Sequence, residues 1–305
     1  MSKPRRPRRP VDGILLLDKP QGLTSNQALQ RVRHLYQADK AGHTGSLDPL
    51  ATGLLPICLG EASKFTQYLL EADKVYRTRI RLGVKTATGD AEGDVIATAP
   101  VPALDAAAIE AVLARFRGAI DQVPSMFSAL KRDGRPLYEL ARQGIEVERE
   151  ARRVTIHRLD LIGASADEWE LEAHVSKGTY IRSLAEDIGE VLGCGAHVTL
   201  LRRLSLGPFQ APAMVTLAQV EAALEQGGQA AIDALLLPAW AGLADWPRVE
   251  LSESAAYYLL QGQPVRVAGA PRDGAVLVFE AGGRFLGIGE MDDEARVAPK
   301  RLIRV

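Results

Sequence analysis

The stretch "HTGSLDPLATGLLP", residues 43 to 56, sets one carboxylate, Asp48, among apolar, small and proline residues. An ionised carboxylate is rarely buried without a partner, so Asp48 is either a turn residue before Pro49 or an acid the fold holds for chemistry. The other motifs narrow that chemistry by exclusion. There is no GxxxxGK[ST] loop, the glycine pairs at 193/195 and 287/289 lack the third glycine of a dinucleotide fingerprint, and neither HExxH, the HxE…PCxxC deaminase signature nor a GxSxG elbow occurs. Cys58 and Cys194 stand far apart without CxxC spacing, which supports neither a disulfide framework nor a usual zinc site. What remains is an acid, tyrosines, arginines and basic surface, with no cofactor implied.

The elements that would position these groups are legible in outline. Gly13–Leu17 reads as a short strand, and a helix follows the turn "KPQGLTS" from about Ser25, which suits an N-cap, with Leu29, Val32 and Tyr36 at helical spacing. "KVYRTRIRLG" places Tyr76, Thr78, Ile80 and Leu82 on one face of a strand and three arginines on the other, so one face is basic. "TGDAEGD" departs from a calcium loop at Val95 and Val101 and reads as a turn. Asp105 caps an amphipathic helix carrying Ile109, Val112, Leu113 and Phe116. In "LEAHVSKGTYIRSLAEDIGEVLG" a strand gives way to a helix with Ser183 and Glu186 as capping box, so Tyr180 and Arg182 lie just before a helix N-terminus. Residues 128–153 hold a glycine turn, a short helix between Pro136 and Gly144, and seven basic against five acidic residues. After residue 250 short glycine-punctuated strands suggest a separate small β domain.

At 305 residues and 47% hydrophobic, the chain can bury one large core or two domains. The net charge of −1 hides an asymmetry: residues 1–153 carry 24 Lys and Arg against 18 Asp and Glu, and residues 154–305 carry 13 against 20. A basic N-terminal half hints at nucleic acid, although a chance imbalance of solvated charge gives the same count. Residues 1–10 alternate Lys3, Arg5, Arg6, Arg8 and Arg9 with prolines and are expected to form a mobile basic tail. The apolar run Ile14–Leu17 is too short for a signal segment and no stretch suits a bilayer span, so a reducing cytoplasm is the expected location.

Four segments in order, "LDKPQGLTSNQALQRVR", "AGHTGSLDPLATGLLPICLGEASKF", "SALKRDGRPLYELARQGIEV" and "KGTYIRSLAEDIG", strongly resemble the TruB family, the tRNA pseudouridine-55 synthases, over residues 11–207. The resemblance implies an α+β catalytic domain to about residue 247, built on a central, mostly antiparallel sheet flanked by helices. It also implies an insertion at about 124–152 that grips the T loop, and a β-rich PUA-like RNA-binding domain over 248–305. It implies no metal and no organic cofactor, tRNA through its T stem-loop as partner, no obligate protein partner and a monomer. By the same resemblance Asp48 is the catalytic aspartate, Tyr76 packs on the target base, and Tyr180 and Arg182 are partners of the acid. His43 helps hold the flipped nucleotide, Lys19 and Pro20 stand beside the cleft, and Leu201, Lys131, Arg132 and Arg142 complete the substrate-binding set. Taken alone, Tyr76 and Tyr180 read as strand-face core residues and Arg182 as a surface ion pair.

The implied reaction breaks the N1 glycosidic bond of a uridine and re-bonds the base through C5. A carboxylate at the sugar can attack the electron-poor anomeric carbon, stabilise it, or take the neighbouring 2′ proton, and each route needs Asp48 ionised. Arg182 is expected to keep it so by lowering its pKa, while Tyr76 and the arginine-bearing strand are expected to supply stacking and phosphate contacts. The alternative reading is an RNA-binding or tRNA-folding module with incidental or lost catalysis.

Overall fold

The computed structural model describes residues 8–128, 130–132 and 134–304. In chain order its strands are β1 (Gly13–Lys19), β2 (Ala41–His43), β3 (Thr52–Leu59), β4 (Lys74–Leu82), β5 (Val84–Thr86), β6 (Val95–Thr98), β7 (Gly118–Gln122), β8 (Lys131–Arg132), β9 (Arg135–Pro136), β10 (Arg152–Ala164), β11 (Glu168–Val175), β12 (Ala196–Leu206) and β13 (Phe209–Gln210). Four more, β14 (Arg248–Leu251), β15 (Ala275–Glu280), β16 (Phe285–Met291) and β17 (Val297–Leu302), form a second sheet. The helices are α1 (Ser25–Tyr36), α2 (Thr66–Leu70), α3 (Ala106–Ala114), α4 (Leu137–Arg142), α5 (Ile181–Val191), α6 (Leu217–Asp233) and α7 (Glu253–Leu260). The central sheet runs β1-β3-β12-β4-β11-β10-β7 and is antiparallel throughout except between β3 and β12.

That one parallel contact positions the cleft. Gly53 of β3 has φ 96°, and a Cβ there would lie 2.3 Å from the Arg203 carbonyl oxygen and 2.9 Å from its nitrogen. Only glycine tolerates both the backbone conformation and the approach of the neighbouring strand. Arg203 is thereby carried beside the loop between β2 and β3 that contains Asp48.

The main core gathers Leu15, Val32, Ile57, Ile80, Trp169 and Ile188 between the sheet and its helices. The second sheet has its own core of Val249, Leu259, Val276, Val278 and Leu286, and a third cluster joins the two sheets through Phe65, Leu243, Phe279 and Phe285. Among the described residues, no helix is long and apolar enough to cross a membrane.

Several local expectations need correction. The N-cap of α1 is Thr24, closing a capping box with Gln27; Ser25 is buried and its hydroxyl both donates to the Leu47 carbonyl (3.0 Å) and accepts from the Leu47 N–H (2.7 Å). The 183/186 capping box does not form, because α5 starts at Ile181 and the Ser183 hydroxyl donates to the Val123 carbonyl. The amide of Gln122 sets that earlier start by bonding both the N–H (2.7 Å) and the carbonyl (3.1 Å) of Tyr180. Lys3, Arg5 and Arg6 lie outside the described residues, but Arg9 is not part of a mobile tail. Its guanidinium clasps both oxygens of Asp233 and donates to the Tyr36 carbonyl.

The basic face of β4 is also neutralised. Arg77, Arg79 and Arg81 face Glu172, Glu170 and Glu168 across the β4–β11 ladder, with ion pairs such as Arg77–Glu172 at 3.0 Å, Arg79–Glu170 at 3.3 Å and Arg81–Asp167 at 3.1 Å. Opposite charges in register satisfy each other, so this face is not a free phosphate-binding stripe, and it points away from Tyr76.

Gly53→Ala is expected to destabilise the fold by about 1–3 kcal/mol or more, read as a lower denaturant midpoint with unchanged slope.

Candidate active site

The Asp48 loop is held from several sides. Ser25 fixes Leu47 as described, the Asp48 carbonyl accepts from the Ala51 N–H, Gly22 donates to the Pro49 carbonyl at 2.8 Å, and an Arg203 guanidinium N–H reaches the Gly45 carbonyl at 3.2 Å. Lys19 is fully buried and spends its ammonium protons on the carbonyls of Pro20, Leu23 and Pro49. It therefore does not present its charge to the cleft surface; it ties the turn before α1 to the Asp48 loop, and burial pulls its pKa down to about 8 against the pull of Asp48. Pro20 is exposed and lines neither hollow described below.

Arg182, in the first turn of α5, is the hub. Its side chain is only 5% exposed; Nη1 donates to the Thr88 carbonyl at 2.8 Å and Nη2 to the Phe127 carbonyl at 2.7 Å. Nε stands 2.9 Å from Asp48 Oδ2 and 3.7 Å from Asp90 Oδ2. The fork of donors matches a guanidinium and no other side chain.

Asp90 is the residue that sequence reasoning missed. It lies inside "TGDAEGD", which does form the turn between β5 and β6, yet Asp90 is 4% exposed and accepts from the Thr88 hydroxyl (2.6 Å) and the Glu92 N–H (3.1 Å). Two carboxylates thus share one guanidinium. The expected lowering of the Asp48 pKa is not what this geometry produces. Burial of the carboxyl in the cleft pushes it above the usual aspartate range, Arg182 opposes that, and the Asp90 charge adds to it. Asp48 still keeps 39% of its side-chain surface open, so water reaches it and moderates the shift without reversing it.

Asp48, Arg182 and Ser128 stand where two hollows meet. The smaller, about 290 Å³, is lined by Tyr76, Tyr180, Leu201, Lys74 and Arg203; the wider, about 560 Å³, by His43, Asp90, Glu92, Tyr138 and Arg142. Burial raises the pKa of the Tyr180 phenol and, together with Arg203, lowers that of His43, keeping the imidazole neutral. Lys74, on the buried parity of β4 with Tyr76, is drawn down to about 8 by burial and by Arg203. Two polar atoms of the lining, His43 Nδ1 and Ser128 Oγ, are buried without a hydrogen-bond partner, the condition a substrate relieves.

The structure thus brings together Asp48, Tyr76, Tyr180, Arg182, His43, Leu201 and Arg142, and adds Asp90, Lys74 and Arg203. Arg132 is not at the cleft; it is exposed and donates to the Glu148 carbonyl within the insertion. The side chain of Lys131 lies outside the described residues. The insertion has its own apolar kernel of Met126, Leu137 and Leu140.

Family models match along the chain: "TruB family pseudouridylate synthase (N terminal domain)" over residues 33–181, "tRNA pseudouridylate synthase B C-terminal domain" over 182–244, and "Pseudouridine synthase II TruB, C-terminal" over 247–303. The chain is 58% identical to tRNA pseudouridine synthase B of Ectopseudomonas mendocina (strain ymp), covering 99% of each protein. The chain belongs to the TruB family. Against tRNA pseudouridine synthase B of Pseudomonas aeruginosa (strain UCBPP-PA14) the identity is 56%, covering all of both chains. Among solved structures it is similar to a chain of a Cbf5-Nop10-Gar1 complex, with TM-score 0.72 and 25% identity over 96% of this chain and 84% of that one. An H/ACA RNP bound to a substrate RNA containing 2′-deoxyuridine shares the fold, with TM-score 0.73 and 24% identity over 100% and 92% of the two chains. As a TruB-family pseudouridine synthase the chain is an isomerase.

If the ionised Asp48 carboxylate is the reactive form, kcat/KM is expected to fall as pH drops through its raised pKa, above the ordinary aspartate range. Asp90→Asn removes the like charge and is expected to move that acid limb to lower pH in a pH–rate profile.

Proposed function

We propose that this chain converts uridine 55 in the T loop of tRNA to pseudouridine, with Asp48 as the essential acid. The observation that carries the reading is the Asp48–Arg182 pair at the junction of two hollows, one sized for a base and the other open to its neighbours. The relatives' names and the basic insertion support tRNA as substrate.

The target base leaves its stack and enters the smaller hollow, where Tyr76, Tyr180 and Leu201 give it ring and apolar contact. Unstacking costs a few kcal/mol, offset by these contacts. The ribose then lies at Asp48, and the flanking nucleotides lie along His43 and Arg142. Cleavage of N1–C1′, rotation of the base and formation of C5–C1′ release the C5 proton while N1 gains one, so the reaction is balanced without a redox partner. The ionised carboxylate serves attack on C1′, stabilisation of the electron-poor sugar, or removal of the 2′ proton. The chain works as a monomer, and the 248–305 unit serves as a PUA-like RNA-binding platform.

The test is tritium release from a tRNA transcript labelled at uridine C5, with binding measured on the same samples. Asp48→Asn is expected to abolish release while keeping affinity within a few-fold, because phosphate contacts dominate affinity; binding without release by the wild type supports an RNA-folding role instead. Arg142→Ala is expected to weaken binding and flatten its salt dependence by about one charge, whereas Arg79→Ala, on the paired outer ladder, is expected to leave affinity within about twofold.

A further inference from the structure

On the far side of β4 from Tyr76, three side chains from neighbouring stretches of the sheet converge. Asp73 immediately precedes β4, His174 lies on β11 in register with Val75, and His157 lies on β10. Asp73 Oδ2 is 3.1 Å from His157 Nε2 and 3.8 Å from His174 Nε2, and the two imidazole centroids are 4.8 Å apart. Their donor atoms all lie within 4.8 Å of one another.

The convergence is produced by an irregularity in the sheet. The β10–β11 register shifts between Ile156 and Arg158, so that His157 and Arg158 both face outward between the buried Ile156 and Leu159. Without that bulge strict alternation would hold, and His157 and Arg158 could not both face outward; re-aiming a side chain is what a bulge does. Both Nε2 atoms then lie within 3.8 Å of one carboxylate oxygen.

We infer that Asp73, His157 and His174 form a binding site for a divalent transition-metal ion of the Zn²⁺ class, with the remaining coordination positions open to water. Two imidazoles and one carboxylate are the donor set of open zinc sites, and imidazole selects Zn²⁺, Ni²⁺ or Cu²⁺ over Mg²⁺ and Ca²⁺. With metal–ligand distances of about 2.0–2.2 Å, tetrahedral neighbours stand about 3.3–3.5 Å apart, so side-chain shifts on the order of 1 Å close the site. All three side chains are more than a third exposed, which leaves an entry path. The nearby cations are already paired: Arg158 with Asp160 and Glu172, Arg77 with Glu172, and Lys177 with Glu71. A bound ion would cross-link β10, β11 and the residue that leads into β4, on the face opposite the candidate active site.

The experiment is calorimetric titration of Zn²⁺ into the tag-free full chain after chelator treatment, with Co²⁺ absorption as a second readout and Mg²⁺ as competitor. The expected result is saturable uptake of one Zn²⁺ per chain, visible Co²⁺ bands of low-symmetry coordination, and no competition by Mg²⁺. Asp73→Asn and His174→Ala are each expected to weaken uptake at least about tenfold without changing isomerisation in chelator. No saturable uptake by the wild type overturns the assignment, as does uptake that both variants leave unchanged.

Discussion

The ion pair between Asp48 and Arg182 is the contact around which the cleft is arranged. Arg182 is anchored at three points: its backbone in the first turn of α5, one nitrogen on the β5–β6 turn and another on the start of the insertion. Three separate segments are thereby fixed relative to one guanidinium, whose Nε stands 2.9 Å from Asp48 Oδ2. Because both Nη atoms donate to carbonyls, the charge is held in place by groups that do not neutralise it. Asp90 supplies a second negative charge at 3.7 Å and leaves Asp48 higher in pKa than Arg182 alone would make it.

The same arrangement recurs on the other side of the carboxylate. Lys19, Lys74 and Arg203 are all buried cations bonded to main-chain carbonyls. Lys19 and Arg203 rigidify the loop that carries Asp48, while Lys74 and Arg203 line the smaller hollow and leave positive potential there, which suits a polyanionic substrate. His43 Nδ1 and Ser128 Oγ are buried without a hydrogen-bond partner, a cost that the rest of the fold carries. Stability is lent from elsewhere, chiefly the Ile57–Ile80–Trp169 core beneath the sheet and the aromatic seam of Phe65, Phe279 and Phe285 that joins the two sheets.

Much of this was legible in the chain. Strand alternation put Tyr76 on the inner face, the apolar setting of Asp48 marked it as unusual, and the GTYIR segment placed Tyr180 and Arg182 at a helix start. The losses have physical reasons. Asp90 sits in a glycine-bounded segment whose local chemistry is that of a turn, and only the packing of α5 against that turn turns it into a second carboxylate of the site. The β4 arginines read as a basic stripe because their glutamate partners are some ninety residues away in sequence, on β11. Lys19 looked like a cleft residue since a lysine is seldom fully buried, and its three carbonyl partners come from turns whose geometry no periodicity encodes. Ser25 and Ser183 had the right type and spacing for caps, but tertiary hydrogen bonds to Leu47 and Val123 claimed both hydroxyls.

On the proposed function, the Arg182 fork and not merely its charge sets Asp48 for reaction. Arg182→Lys keeps the positive charge while losing the planar three-way geometry, so the decisive measurement is the single-turnover rate of pseudouridine formation by this variant at saturating tRNA. The expected rate is lower by about 100-fold or more, with RNA affinity held within a few-fold. A lysine variant that turns over near the wild-type rate would contradict it.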